Sequence, residues 1–247
     1  MTTQPGDDPP LSPRATLRWS VARRLVEQVR PGTVLELGCG LGAVGVRLAK
    51  VARYTAAEPD ESSWRTARDR IGPLGGTVIH GDHTAVEGGP FDLVCAFEVL
   101  EHIEDDAAAL AQWLPLVRPG GHLLLSVPAD PDRFGPSDEL VGHYRRYTAV
   151  LLDERLAKAG AADVSVVHYG WPLGYLLDAV RDRLAARRIG TAAPTAGERT
   201  HTSGRLFQPR TAATSALIRA GVAPFVALQR VRPGHGPGLV ALARRPG

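Results

Sequence analysis

The chain has 247 residues, 44% of them hydrophobic and 22% charged, with 27 glycines, 20 prolines and a formal net charge of +3. That apolar fraction and low net charge exclude a disordered chain, and the length suits one domain or one domain with an appendage. No stretch approaches the roughly 18 continuous apolar residues of a membrane span. Met1 to Pro10 is polar and acidic where an export signal is basic and then apolar, so a cytoplasmic location is expected.

Cys39 and Cys95 lie in no CxxC or Cys/His pattern, which excludes a disulfide framework and a zinc module and leads us to expect no metal. The basic residues are 27 arginines and two lysines, and their distribution is uneven. Residues 1–170 hold 17 Lys and Arg against 23 Asp and Glu, a balance of −6, while residues 171–247 hold 12 arginines against 3 acids, a balance of +9. The acidic part is expected to be the catalytic core. The basic part, 171–238, is expected to be an insertion or substrate lid, followed by a last core strand within 239–247.

Apolar periodicity orders the elements along the chain. Leu17, Val21, Leu25 and Val29 form a helical stripe ahead of a strand at Thr33 to Leu37. A glycine-rich turn leads to a helix over Leu41 to Val51, a strand at Tyr54 to Glu58, a helix at Ser62 to Ile71 and a strand at Thr77 to His80. Phe91 to Phe97 reads as a buried strand and Asp105 to Leu116 as a helix; the turn Arg118-Pro119-Gly120-Gly121 opens the strand His122 to Val127. Thr148 is the predicted N-cap of a helix ending at Ala159, and a strand follows at Asp163 to His168. The insertion holds a basic helix with Leu176, Leu177, Val180 and Leu184 on one side, a Gly/Thr/Pro-rich linker at Gly190 to Gly204, and an apolar segment from Ala212 to Val231 interrupted by Pro224. Leu239 to Ala243 is the seventh strand. Strands that alternate with helices and read as unbroken apolar runs imply a parallel sheet covered on both faces.

In such a sheet ligands sit beyond the carboxyl ends of the strands, so the loops there carry the chemistry. After the first strand, Gly38, Gly40 and Gly42 let the backbone turn sharply and present N–H groups to a ligand at a helix N-terminus. Gly40 to Gly45 also satisfies GxGxxG, so the loop alone does not choose between an adenosyl and a nicotinamide cofactor. Glu58, 18 residues after Gly40, can accept from both ribose hydroxyls of either.

Five segments in order, ELGCGLG, AAEPD, GDH, FDLVCAFEVLEHI and RPGGHLLLSVP, make the stretch from Val34 to Gly160 resemble the class I S-adenosylmethionine-dependent methyltransferases. The resemblance implies an α/β three-layer Rossmann-like sandwich, with a seven-stranded, mostly parallel sheet whose last strand is antiparallel. It implies S-adenosyl-L-methionine as cofactor, with Glu36, Gly38, Gly40 and Glu98 around its methionine part, Glu58 on the ribose, and Asp82 and His83 at the adenine. Helix capping is the alternative role for Glu58 and Asp82. Transfer to a hydroxyl calls for a base, and His102 and His143 are the candidates at the right sheet edge. Tyr144, Arg145 and Arg146 share the His143 loop and suit a polar or anionic acceptor; pairing of these arginines with Asp138 and Glu139 is the alternative. Trp171, Tyr175 and Phe207 of the insertion are candidates for an acceptor pocket.

The expected function is therefore methylation, preferably of oxygen, on a small-molecule or lipid-linked acceptor. A nicotinamide-dependent oxidoreductase and a non-catalytic module that binds cofactor or lipid are the competing readings. Peripheral membrane contact through residues 171–232 is an expectation from charge, and the tail lacks the interleaved aromatics of a nucleic-acid platform. Neither the acceptor nor the oligomeric state is encoded in the motifs.

Overall fold

The structure is a computed structural model and describes residues 8–189 and 212–247. Seven strands form one sheet: β1 (Thr33–Leu37), β2 (Arg53–Glu58), β3 (Thr77–His80), β4 (Phe91–Phe97), β5 (Val117–Pro128), β6 (Ala162–Tyr169) and β7 (Gly238–Arg244). Their order is β3-β2-β1-β4-β5-β7-β6, and β7 runs antiparallel to both β5 and β6. The helices are α1 (Pro13–Val29), α2 (Gly45–Ala49), α3 (Glu61–Ile71), α4 (Asp106–Trp113), α5 (Pro136–Val141), α6 (Ala149–Lys158), α7 (Leu173–Ile189) and α8 (Ala212–Leu228). This is the expected α/β three-layer architecture, and α7 and α8 lie between β6 and β7.

The alternation of strand side chains accounts for the two cores. Along β4, Phe91, Val94 and Ala96 pack on one face with Leu110 and Trp113 of α4 and Leu152 and Leu156 of α6. Leu93, Cys95 and Phe97 pack on the other with Leu17 and Val26 of α1, Leu48 of α2, Ala67 and Ile71 of α3, and Val222 of α8. Cys95 is thus a core residue. The chain leaves β1 toward β2 and β3 and returns to β4 on the other flank, so a crevice opens where the direction reverses, at the carboxyl ends of β1 and β4.

Two expectations change, and the orientation of α7, which patterning leaves open, becomes defined. The helix after β1 begins at Gly45 rather than Leu41, because Gly38, Gly40 and Gly42 all take left-handed backbone angles and hold the chain in a turn. The turn at 118–121 bulges within β5, since Phe91 pairs with Val117 while Leu93 pairs with His122. Helix α7 turns its leucine side outward: Leu176, Val180 and Leu184 are exposed, while Gly174, Asp178 and Ala185 face the protein. The reason is polar. Asp178 pairs with Arg14 and Arg146, and Asp182 accepts from the Ser137 N–H of α5 at 3.3 Å, so charge sets the rotation of the helix. The Gly190 to Gly204 linker and Phe207 lie outside the described residues.

Gly45 lets α2 sit close on the sheet; a Cβ there would stand 2.4 Å from the Tyr54 Oη and 2.8 Å from Ile71 Cδ1. Both neighbours are buried, so Gly45→Ala should destabilise the protein by about 1–3 kcal/mol through overpacking. Urea denaturation should show a lower midpoint with an unchanged slope.

Candidate active site

At the crevice lies a cavity of about 330 Å³. Its floor takes in Glu36, Gly38, Gly40, Glu98, His102 and His143, six of the residues singled out in the sequence. Its roof comes from Arg14 and Arg18 of α1 and from Leu177, Val180 and Arg181 of α7.

The glycine turn is built for close approach. A Cβ on Gly38 would meet Val99 Cγ2 at 2.8 Å, whereas one on Gly40 would have nothing within 4 Å. Gly38 is therefore excluded from bearing a side chain by packing, and Gly40 keeps open space beside its backbone. Glu58, at the end of β2, accepts from the Gly40 N–H at 2.7 Å and the Asp60 N–H at 3.0 Å, tying the turn to the neighbouring strand. Burial pushes its carboxyl above the ordinary range. Glu36 accepts from the Tyr54 hydroxyl at 2.5 Å, and burial, only partly opposed by that bond, raises its pKa to about 8.

Glu98 ends β4 with a left-handed backbone, φ 58°, an unusual conformation for a side-chain-bearing residue and one that concentrates at functional sites. Its carboxylate accepts from Ser126 Oγ at 3.1 Å and Tyr169 Oη at 3.2 Å and faces Arg18 at 3.5 Å and Arg14 at 3.7 Å. Burial favours the neutral acid, but Arg18 and Arg14 outweigh it and hold the pKa at about 2. Two cations of α1 and a fixed carboxylate thus meet the glycine turn in one cavity.

The other end of the cavity holds the histidines. His143 Nδ1 lies 2.7 Å from Asp138 Oδ1, and Arg146 donates to the same carboxylate at 2.7 Å and 2.9 Å. Burial pushes Asp138 up, yet His143 and Arg146 prevail and keep it below the ordinary carboxylate range. An ionised carboxylate only accepts, so Nδ1 donates to Asp138, and Nε2 is the ring nitrogen turned toward Glu101, 3.8 Å from its Oε1. The His102 and His143 rings meet edge to face with centroids 4.6 Å apart. Burial, followed by the proximity of His143, lowers the His102 pKa to about 4.

Other expected site residues sit elsewhere. Asp82 is exposed and caps a short turn, accepting from the Thr84 N–H at 2.9 Å and the Thr84 hydroxyl at 2.6 Å, and His83 Nε2 meets Gln112 Oε1 at 2.7 Å. Neither lines the cavity, and Glu58 touches it only through Gly40. Tyr144 is 53% exposed, Arg145 pairs with Asp106 at 2.9 Å, and Arg146 is buried on Asp138. Trp171 stacks under Arg232 and Tyr175 under Arg133. None of these five lines the cavity. Arg14 and Arg18, not singled out in the sequence, are brought in by folding, with an arginine-rich N-terminal helix ahead of the glycine turn as the available signal; Asp138, named there as the alternative partner of the loop arginines, does pair with Arg146.

A parallel sheet with a glycine turn at its switch point and an acid after β2 defines a nucleotide-type cofactor site. Residues 14–166 match the methyltransferase domain family, and the chain belongs to it, within the class I S-adenosylmethionine-dependent methyltransferases. The cofactor is that family's, S-adenosyl-L-methionine, which sets aside the nicotinamide reading. The chain is 33% identical over 99 residues to a ubiquinone biosynthesis O-methyltransferase of Thiobacillus denitrificans, a match covering 38% of this chain and 43% of that protein's length. Its fold resembles phosphoethanolamine N-methyltransferase 2 of Haemonchus contortus in complex with S-adenosyl-L-methionine, with a TM-score of 0.58, 17% identity, and coverage of 93% of this chain and 53% of that one. It also resembles the N-methyltransferase NodS of Bradyrhizobium japonicum, with a TM-score of 0.56, 18% identity, and coverage of 93% and 95%. The residues present fit the cofactor, since open space at Gly40 adjoins a carboxylate and two guanidinium groups that match a zwitterionic amino-acid end.

The raised pKa of Glu36 has a pH signature. Its stabilising effect is complete below the ordinary 4.5 and is lost as pH rises toward 8, since the unfolded chain ionises first. Stability of the cofactor-free protein should fall by up to about 1.4 kcal/mol per pH unit through this group between those limits. Glu36→Gln should flatten that slope in chemical denaturation at pH 5, 6.5 and 8.

Proposed function

We propose that this chain methylates a hydroxyl oxygen of a small-molecule or lipid-linked acceptor. The observation that carries the reading is the Asp138–His143 pair opening onto the same cavity as the glycine turn. Bound S-adenosyl-L-methionine supplies an electrophilic methyl group on a sulfonium.

The chain's own residues do the rest. Gly38 and Gly40 leave room for the donor's amino-acid part, with Arg14 and Arg18 for its carboxylate and Glu36 and Glu98 for its ammonium. Glu58 holds the ribose, and a charge-assisted bond of that kind contributes about 1.5–3 kcal/mol. Asp82, exposed in the loop after β3, and the half-buried His83 beside it take the adenine edge. His143, with Nδ1 committed to Asp138, receives the acceptor's proton at Nε2, and Asp138 stabilises the resulting imidazolium. His102 stays neutral at physiological pH and shapes the wall beside it. Holding the acceptor oxygen in line with the methyl can lower the barrier by about 7–11 kcal/mol.

Leu177 and Val180 give the roof an apolar character, which favours an acceptor with an apolar body over a small polar one. Helix α7 then acts as the lid. The outward side of α7, with Leu176 and Leu184 exposed among arginines, supports an approach to an anionic bilayer for a lipid-linked acceptor. No helix among the described residues is long and apolar enough to cross a membrane.

Glu58→Ala should weaken binding of S-adenosylhomocysteine tenfold or more in calorimetry; unchanged affinity would remove its ribose role. His143→Ala should lower turnover about 10²–10⁴-fold while cofactor affinity persists. Turnover would be followed as labelled methyl entering organic and aqueous extracts of small molecules, and full activity of this variant would remove His143 as the base.

A further inference from the structure

We propose that Glu101, His102 and His143 form a binding site for a divalent transition-metal cation, which polarises the acceptor hydroxyl at the end of the cavity. The existence of the site is independent of the O-methylation reading; only its use rests on that reading.

One ligand atom from each of the three residues lies within 4.8 Å of the other two. Glu101 is fully buried, and neither of its carboxylate oxygens has a hydrogen-bond partner. A fully buried carboxylate whose oxygens accept no hydrogen bond is a costly feature, and a cation bound between it and the histidines would offset that cost. The arginines nearby are committed elsewhere, Arg14 and Arg18 to Glu98 and Arg145 to Asp106. His143 Nε2 stands 3.8 Å from Glu101 Oε1, a separation that two atoms sharing one ion about 2.1 Å from each would show.

The surroundings have the form of a metal site as well. Asp138 accepts from His143 Nδ1 and is itself fixed by Arg146, which sets the tautomer and aims Nε2 at Glu101. A carboxylate behind a ligating imidazole is the usual outer-shell support of a bound metal. Glu101 is anchored through its backbone, whose carbonyl accepts from the Tyr144 N–H at 2.8 Å, so the two loops that supply the ligands are joined. His102 and His143 line the cavity, leaving the open coordination positions toward the acceptor. Two imidazoles and one carboxylate suit zinc or manganese better than magnesium or calcium, which prefer all-oxygen shells.

With the cation in place the His143 lone pair is occupied, and the polarised hydroxyl releases its proton to solvent instead. The oxygen pair forms the new bond to the methyl carbon as the carbon–sulfur bond breaks, and that bond's electrons stay on sulfur.

The test is calorimetric titration of the full chain, stripped with EDTA, with zinc, manganese and magnesium chlorides, together with side-chain ¹⁵N spectra of the histidines. We expect one zinc or manganese per chain, magnesium weakest, and shifts of His102 and His143 resonances on binding. Glu101→Gln and His143→Asn should each weaken binding 100-fold or more, Asp138→Asn about 10–100-fold, and His235→Ala, on an exposed loop, not at all. Glu101→Gln keeps the shape of the side chain and removes a buried charge, so it serves if the histidine variant misfolds. Absence of stoichiometric binding up to millimolar metal, or unchanged affinity in Glu101→Gln and His143→Asn, would overturn the site. Methyl transfer that persists in EDTA and depends on His143 would leave the base reading standing alone, and stoichiometric metal without transfer to any hydroxyl would leave the site standing without it.

Discussion

A buried network of charge organises the site. Glu98 is held by Arg14 and Arg18, Arg14 also pairs with Asp178, Asp178 faces Arg146, and Arg146 holds Asp138, which orients His143. In this order the links join β4, α1, α7, the loop after α5, and α5 itself. Removing one member of such a chain leaves an uncompensated buried charge, a loss on the order of 3–5 kcal/mol, so the elements around the cavity are fixed relative to one another by electrostatics as much as by packing.

The same network explains the unusual pose of α7. An amphipathic helix normally buries its leucines, but here Asp178 and Gly174 point inward and Leu176, Val180 and Leu184 face out. The helix gains its contact energy from ion pairs and from close approach at Gly174. Its apolar side is then free to form the mouth of the cavity, where Leu177 and Val180 line the roof. The rotation of one helix thus decides which of its side chains reach the cavity.

Within the cavity the two ends have opposite electrostatic character. Near the glycine turn the carboxylate of Glu98 is held ionised beside arginines, as suits a zwitterion. Near the histidines Glu101 has no hydrogen-bond partner for its carboxylate oxygens, and burial pushes its carboxyl well above the ordinary range.

The strands were legible in the sequence because each is an apolar run closed by turn residues: Thr33–Leu37, Thr77–His80 and Phe91–Phe97 have the bounds that periodicity predicts. The glycine turn and Glu58 were legible because their chemistry is local, set by backbone freedom and by position after a strand. The start of α2 was not, because helix propensity says nothing of the left-handed glycines ahead of it. Nor was the rotation of α7, because hydrophobic patterning does not reveal that Asp178 has partners 164 and 32 residues away in the chain. By itself the sequence determined the order of strands and helices and the glycine turn with the acid that closes β2. Only the tertiary structure decided the acceptor end, because His143, Asp138 and Glu101 acquire their chemistry from one another, and burial and charge pairing exist only when distant segments meet.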